Sequence, residues 1–419
     1  MNDVHAKRWM RQFFTVWGGQ AVSLIGSALV QFSLVWWLTV ETRDPLVLLT
    51  SAIVGVLPQI AIVPFAGAMA DRLNRRRVMI IADGLTATAT AALMVLFLMG
   101  AVAIWHVFAV LAIRSALQGF HWPAMQASTS LMVPEEHLAR IGGLNQSVQG
   151  LSGIIAPPLG AVLIAALPMG IILTIDILTA AVAISALVAV RIPEVRKAKD
   201  APRTSVLGDM REATSYLWSW KGALAVVLIF MAANLLITPA FALLPLHTLE
   251  YFGKGALEYA AMESMAGAGM IAGGAVLGVW GGTRRKIVTG MAALALLGVG
   301  VGVIGLLPPG GYMIAVAACL LIGIMLALVN GTVVAILQRG IRADLQGRVF
   351  ALLGAISSAM IPVGLLAAAP ISVAFGIRPW FLAAGAILIV IGAASFFAPA
   401  IMLLEDHVAD KVPVDRANL

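Results

Sequence analysis

Long uncharged stretches alternate with short charged breaks along this chain of 419 residues. An α-helix needs about 20 mostly apolar residues to cross the hydrocarbon of a bilayer. Dividing the sequence at its charges and at its Gly and Pro clusters leaves twelve runs of roughly that length, so the pattern predicts twelve spanning helices. They are predicted at 13–40, 46–70, 78–99, 103–131, 142–167, 169–190, 223–249, 257–281, 287–307, 311–338, 349–374 and 379–403.

One polar break is much longer than the others and separates the predicted helices into two groups of six. The sequence therefore predicts an all-α membrane protein made of two six-helix bundles. The predicted boundaries are an N-terminal bundle at 1–191, a linker at 192–222, a C-terminal bundle at 223–404 and a tail at 405–419.

Composition supports a membrane protein, since 61% of the residues are hydrophobic and only 11% are charged. A soluble domain carries roughly 25% charged residues. The net charge of +7 does not indicate a nucleic-acid partner, because the basic residues fall in breaks between apolar runs instead of clustering on one folded face. The single cysteine, Cys319, lies inside an apolar run and predicts no disulfide framework.

The basic residues also predict how the chain is oriented. Loops on the cytoplasmic side of a membrane carry an excess of Lys and Arg. If the N-terminus is cytoplasmic, all but four of the 27 basic residues fall on that side. We therefore expect both termini in the cytoplasm. The four exceptions are Arg43, Arg114, Lys254 and Arg378.

Two charged landmarks of the first half recur in the second half at nearly the same spacing. The basic run 75–77 returns 209 positions later as the run 284–286. A carboxylate four residues before an arginine recurs 208 positions later, at Glu136, Arg140, Asp344 and Arg348. Repeats of this kind, with six helices each, are typical of secondary transporters.

The charged turn after the second predicted helix resembles a signature of the major facilitator superfamily, written G-x-L-a-D-R-x-G-R-K/R. Gly67, Asp71, Arg72 and Arg75 match it. Two positions depart from it, Met69 and Asn74. Asn tolerates a left-handed backbone better than most residues, so its replacement of glycine is a mild departure.

Segments of the next two helices add to the resemblance. Arg114-x-x-x-Gln118-Gly119 resembles the signature of proton-coupled members, and Gly153-x-x-x-Pro157-Pro158-x-Gly160 resembles a degraded antiporter signature. Over the whole chain the sequence is similar to the macrolide-efflux and enterobactin-exporter branch of the drug:proton antiporters. That similarity is carried by Ile113-Arg114-Ser115, Phe120-His121-x-Pro123-Ala124, Val133-Pro134-Glu135-Glu136, Ile175-Asp176 and Val190-Arg191-Ile192-Pro193.

The resemblance implies a transporter in the cytoplasmic membrane of a bacterium. It would export an amphipathic organic compound, such as a macrolide, in exchange for protons by alternating access. Three alternatives stay open: an exporter of a natural metabolite such as a siderophore, a lipid or lysolipid transporter, and a membrane sensor without transport. We expect no enzyme activity, no cofactor and no obligate protein partner, and the only other contacts expected are with membrane lipids. No Gly-x-x-x-x-Gly-Lys-Ser/Thr sequence for ATP occurs.

The resemblance further implies that the charged turn is a conformational latch. In this reading Asp71 engages the start of the eleventh helix, and the arginines pair with a carboxylate after the fourth. An acid near a helix N-terminus is favoured by roughly 0.3–1 kcal/mol. The alternative is that the arginines only fix the orientation of the chain. The predicted latch residues are Gly67, Asp71, Arg72, Arg75, Glu135 and Glu136.

Polar side chains form stripes along several predicted helices. At about 100° per residue, Arg114, Gln118 and His121 share one face of the fourth helix. Such a stripe lines a water-filled cavity or forms hydrogen bonds to neighbouring helices. The resemblance favours the cavity for the first, fourth, seventh and tenth helices. The candidate cavity residues are Gln20, Gln31, Arg114, Gln118, His121, Asn145, Gln149, Asn234, Thr238 and Asn330.

Proton coupling needs a titratable group that faces each side of the membrane in turn. The candidates for it are Arg114, Asp83, Asp176 and Glu263. Asp83 can instead pair with the arginine turn, and Asp176 can be a polar anchor between helices.

A glycine-rich run at 267–274 lies inside the eighth predicted helix. No predicted strand precedes it, so it does not resemble a dinucleotide-binding loop. Close packing between helices explains it better.

Overall fold

A computed structural model describes residues 3–70, 74–192, 211–212, 214–216, 218, 220–341 and 345–405, except the side chains of 3–8, 64, 67–70 and 139. The described residues form helices and contain no strand, and twelve of the helices are long. The predicted fold class is thereby confirmed. The helices are α1 (Asp3–Thr42), α2 (Pro45–Ala70), α3 (Arg75–Leu98), α4 (Ile104–Met132), α5 (Glu135–Ala166), α6 (Met169–Ala189), α7 (Lys221–Leu246), α8 (Ala256–Trp280), α9 (Lys286–Leu306), α10 (Tyr312–Gly340), α11 (Gln346–Phe375), α12 (Arg378–Ser395) and the short α13 (Pro399–Met402).

Eleven of the described helices are long and apolar enough to cross a membrane. The remaining long helix, α4, has 29 residues, which is about 43 Å at 1.5 Å per residue. It is long enough to span a bilayer, but its polar face, which includes Arg114 and His121, lowers its mean hydropathy. Many large apolar side chains lie exposed on the outside of the helices, as contact with lipid requires.

Three predicted boundaries differ by more than four residues from the structure, and the first is the start of α1 at Asp3 instead of 13. The fifth helix begins at Glu135 instead of 142, because Pro134 in an extended conformation precedes it and two glutamates fill its first turn. Negative charge there stabilises a helix N-terminus. The twelfth helix ends at Ser395 instead of 403, and a separate turn of helix begins at Pro399, whose missing N–H cannot continue the ladder.

The chain divides into two compact units. The first is Met1–Ala198 with Leu244–Ser264, and the second is Lys199–Leu243 with Met265–Leu419. The short segment that joins α7 to α8 thus packs with the first unit. A π-helical turn at His247–Tyr251 continues α7 into this segment. The domain boundaries at 191, 222 and 404 stay a prediction.

The helices pack in corresponding ways within the two units. In the first unit α3 packs against both α4 and α6, and in the second unit α9 packs against both α10 and α12. These sets of three helices occupy equivalent positions in the two halves of the sequence. The recurring basic runs also correspond, since each lies at the start of one of these helices, at Arg75 of α3 and Lys286 of α9.

The glycine-rich run lies in α8 and packs against α10. A Cβ on Gly273 would lie 2.5 Å from the carbonyl oxygen of Ile324. In the opposite direction, a Cβ on Gly323 would overlap the carbonyl of Ala266. The two backbones approach so closely that only glycine fits at these positions, so helix packing explains Gly273 within the run.

Candidate functional site

A buried ion pair connects α4 to α6 in the first unit. Nη1 of Arg114 contacts Oδ2 of Asp176, and the two side chains are 12% and 2% exposed. Oδ1 of Asp176 accepts a hydrogen bond of 2.7 Å from Oγ of Ser27, and Oδ2 accepts one of 2.8 Å from the hydroxyl of Thr90. Arg114 also donates to that hydroxyl at 3.1 Å. We call Ser27, Thr90, Arg114 and Asp176 the arginine layer.

Four helices meet at this layer, namely α1, α3, α4 and α6. Beside the layer, α1 and α6 approach each other closely. A Cβ on Gly26 would overlap the side chain of Thr179 on α6. The neighbouring Ser27 is thereby brought within reach of Asp176. Buried charges are stable only when they are paired and hydrogen-bonded, and the arginine layer meets both conditions.

A second polar cluster lies further along the same helices. Nε2 of Gln20 donates to Oδ2 of Asp83 at 3.0 Å, and Oδ1 of Asp83 lies 3.3 Å from Nε2 of His121. That imidazole nitrogen is buried and makes no hydrogen bond to the described residues. We call Gln20, Asp83 and His121 the histidine layer. It joins α1, α3 and α4, and it places Asp83 beside His121 instead of beside the arginine turn.

Apart from His121, the candidate cavity residues of the first unit divide into two groups. One group forms hydrogen bonds between helices, including Asn145, whose Oδ1 accepts a bond of 2.8 Å from the indole N–H of Trp17. The other group is exposed and consists of Gln31, Gln118 and Gln149. The exposed amides are free to contact water or an amphipathic molecule.

The three candidates on the second unit are half-buried. The amide of Asn234 donates to the carbonyl of Phe230 on its own helix at 3.0 Å. Thr238 lies one turn further along α7, and Asn330 lies on α10.

Glu263 lies beside a stack of aromatic rings in the first unit. Its Oε1 accepts a hydrogen bond of 2.7 Å from the hydroxyl of Tyr259. The ring of Tyr259 stacks on Phe32 and on Trp36, with centroid distances of 5.2 and 5.7 Å. An acid beside stacked rings has the chemistry to hold an organic cation.

The residues of the predicted latch are only partly within the described chain. Asp71 and Arg72 lie outside the described residues. Gly67 is described only as a backbone position in α2. Glu135 and Glu136 are exposed in the first turn of α5.

Two arginines of the charged turn contact the backbone of neighbouring helices. Arg75 donates to the carbonyl of Ala127 at 3.5 Å. Arg76 donates to the carbonyls of Leu187 and Val188 at 2.6 Å each. The carbonyls of Leu187 and Val188 lie in the last turn of α6, where the backbone lacks helical partners.

Sequence reasoning did not identify Thr90, although this residue bonds to both members of the ion pair. A usable signal is present, since Thr90 lies two turns after Asp83 on the same face of α3. Tyr259 was missed as well, and its position one turn before Glu263 is the corresponding signal.

The twelve long helices of the described residues, their repeated packing and the charges buried in mid-helix are typical of a multi-pass membrane transporter. Within the described residues, no group of His, Cys, Asp and Glu is arranged to hold a metal ion. The model of the Major Facilitator Superfamily matches residues 16–365. The chain belongs to this superfamily.

Individual relatives extend over most of the chain. It is 34% identical over 383 residues to macrolide efflux protein A of Streptococcus pyogenes, covering 91% of this chain and 95% of that one. It is 28% identical to the multidrug efflux pump Tap of Mycolicibacterium fortuitum, covering 84% and 87%.

Among solved structures, a bacterial homologue of the iron transporter ferroportin in an inward-facing state has a similar fold. The TM-score is 0.71 at 15% identity, and the match covers 92% of this chain and 98% of that one. At this identity the likeness concerns the fold alone.

Proposed function

We propose that this protein is a drug:proton antiporter of the bacterial cytoplasmic membrane that exports a macrolide-like amphipathic compound. The observation that carries the proposal is the 34% identity to macrolide efflux protein A along nearly the full length of both chains. Similarity to the multidrug pump Tap supports the broader class of drug export.

Proton entry supplies enough free energy for such export. Each proton that moves down a membrane potential of 100 mV releases about 2.3 kcal/mol. At about 1.4 kcal/mol for each tenfold change, exchange of one proton for one neutral substrate supports roughly a fifty-fold gradient.

The exposed amides Gln31, Gln118 and Gln149 are the proposed contacts of the substrate in the first unit. Asn234, Thr238 and Asn330 are their proposed counterparts in the second. An amphipathic ligand needs a few polar groups on an apolar surface, which fixes its orientation while its body is desolvated. Amides suit this purpose because they both donate and accept hydrogen bonds.

Arg114 is the proposed organising charge of the coupling machinery. A charge near the middle of a membrane costs at least about 2.5–3.5 kcal/mol on insertion scales. Asp176 pairs with Arg114 and offsets this cost. The two charges can therefore remain buried between α4 and α6.

Macrolide accumulation in everted membrane vesicles tests the proposal. We expect energised vesicles to accumulate labelled erythromycin and to lose it on addition of an uncoupler. Arg114→Ala should insert in the membrane and fail to accumulate the drug. Arg191→Ala, which removes an exposed arginine just after α6, is the matched control and should accumulate normally.

Other outcomes would favour the remaining alternatives. Transport that is insensitive to the uncoupler contradicts proton antiport. Transport of a siderophore or a lysolipid but not of macrolides would indicate a dedicated exporter or a lipid transporter. Failure to move any of these compounds would favour a sensor.

A further inference from the structure

On each of three helices, one residue of the arginine layer and one residue of the histidine layer are seven positions apart. Ser27 follows Gln20 by seven residues on α1, and Thr90 follows Asp83 by seven on α3. α4 runs antiparallel to α1 and α3, so on this helix Arg114 precedes His121 by seven residues. Seven residues make two helical turns, or about 10.5 Å along each axis. The protein therefore carries two stacked polar layers inside one bundle.

The arginine layer is saturated. Both carboxylate oxygens of Asp176 accept hydrogen bonds, from the two hydroxyls and from the guanidinium. Protonating this carboxylate would leave Arg114 without a counter-charge. Removing one partner of a buried ion pair costs about 3–5 kcal/mol, so this pair is costly to break.

The hydrogen bonding of the histidine layer is incomplete. Oδ2 of Asp83 has its donor in Gln20, but Oδ1 faces Nε2 of His121 at 3.3 Å without a hydrogen bond that fits. His121 is 9% exposed, so the bulk solvent does not satisfy its nitrogen. An imidazole nitrogen and a carboxylate oxygen at this distance have room for one proton between them.

The surroundings contain few other charges. The part of α1 between residues 12 and 40 and all of α2 contain no ionisable side chain, and α6 contributes only Asp176. On α3 and α4 the other charged or titratable groups are the basic run at 75–77, Arg114 and His106. On α5 they are Glu135, Glu136, His137 and Arg140, all near its start. The charges nearest to Asp83 along α3 are therefore the basic run on one side and the arginine layer on the other.

The carboxylates of the two layers also differ in access. The side chains of Asp83 and His121 are 13% and 11% exposed, whereas that of Asp176 is 2% exposed. One turn further along the helices, a fully apolar set closes the other side of the histidine layer. It consists of Val16, Met79 and Ala124.

We propose that Asp83 and His121 together form the binding site for the transported proton, and that Arg114 and Asp176 form a fixed ion pair that does not exchange it. The inference rests on the proposed proton antiport. A proton from water binds between the carboxylate and the imidazole, which changes the pair from a net charge of −1 to zero. Its release on the other side restores the carboxylate while substrate moves in the opposite direction.

Proton release on drug binding tests this assignment in the purified full-length protein. Erythromycin, brought to the same pH as the sample, is added in weak buffer that contains a pH-indicator dye, with a detergent blank. The wild-type protein should release protons when the drug binds. Asp83→Asn and His121→Gln should each bind the drug and lose that release. Glu41→Gln, a carboxyl-to-amide change at the exposed end of α1, should release as the wild type does.

The results separate this inference from the proposed function. If the wild type binds the drug without releasing protons and its vesicle transport ignores uncouplers, antiport itself is wrong. If the wild type releases protons and both variants still do so, only the assignment to Asp83 and His121 is wrong. Loss of release in Asp176→Asn with release retained in Asp83→Asn would also overturn it.

An exchange variant covers the case in which neither single variant binds the drug. Asp83→His combined with His121→Asp keeps one carboxyl and one imidazole in the layer. Restored drug binding with restored proton release supports the shared site. An exchange variant that binds no drug, or binds it without proton release, counts against the site.

Discussion

At the scale of single residues, the two buried carboxylates of the first unit differ in how their lone pairs are used. Asp176 is surrounded by a guanidinium and two hydroxyls, while Asp83 has one amide donor and faces an imidazole. Both are aspartates in mid-helix, so their chemistry differs only through their neighbours. A carboxylate whose two oxygens both accept hydrogen bonds holds helices together. A carboxylate with one oxygen that accepts none can bind a proton there.

The ion pair can be tested by removing one charge and then both. Asp176→Leu leaves Arg114 buried and unpaired, and we expect a loss of about 3–5 kcal/mol in the free energy of unfolding. Adding Arg114→Met removes the orphaned charge and should recover much of that loss. The thermal unfolding midpoint in detergent measures both effects. Ser185→Ala, at an exposed position of α6, is the control, and a double variant no more stable than Asp176→Leu would refute the argument.

At the scale of helices, close packing depends on where glycine occurs. Gly273 and Gly274 are adjacent on α8, but they face different surroundings. A Cβ on Gly273 would meet the carbonyl of Ile324, whereas a Cβ on Gly274 would have no other atom within 4 Å. The same residue type therefore has a packing role at one position and none at the next.

This pair of neighbours predicts opposite effects of one substitution. Gly274→Ala should stabilise the protein by about 0.5–1 kcal/mol, because alanine favours the helix over the unfolded chain. Gly273→Ala should destabilise it by about 1–3 kcal/mol, because the added methyl group forces α8 away from α10. Thermal midpoints of the two variants compare them directly. Equal shifts would show that this contact does not limit how closely the helices approach.

The proposed latch also belongs to this scale, since it concerns how one turn biases helix positions. Asp71→Asn should change the labelling rate of a cysteine placed at Gln118 severalfold, because a lost latch contact shifts the population of conformations. The background carries Cys319→Ala, which removes the single native cysteine. Asp44→Asn in the loop before α2 is the control. An unchanged rate in Asp71→Asn would favour the interpretation that the turn only fixes orientation.

At the scale of the whole molecule, hydrophobic length and basic loops organise the chain into twelve membrane helices. Helices equivalent by sequence pack with equivalent neighbours in each unit. A repeat built this way places both ends of each half on one side of the membrane. The charge distribution predicts that this side is the cytoplasm.

Labelling from outside the cell tests that orientation. In the Cys319→Ala background, Glu41→Cys at the exposed end of α1 should react with an impermeant maleimide in intact spheroplasts. Arg416→Cys in the C-terminal tail should react only after permeabilisation, because we expect the tail in the cytoplasm. Reaction of the tail cysteine in intact spheroplasts would show that the orientation is wrong.

Sequence reasoning predicted most of the fold and only part of the site. The helices were found because their signal is local: an apolar run of sufficient length is visible without knowing its neighbours. Arg114 and Asp176 stood out because ionised groups in apolar runs are costly. Their contact was not predicted, and neither was the role of Thr90, because the sequence does not fix which faces of α3, α4 and α6 meet.

The sequence by itself determined the number of spanning helices, the repeat and the superfamily, since each depends on composition or on spacing along the chain. Only the tertiary structure decided which polar groups became partners. Ser27 and Asp176 are 149 positions apart, and Gln20 and Asp83 are 63 apart, so their contacts exist only after the helices pack. Packing places one carboxylate in a buried ion pair and brings the other, two turns away, to 3.3 Å from an imidazole nitrogen.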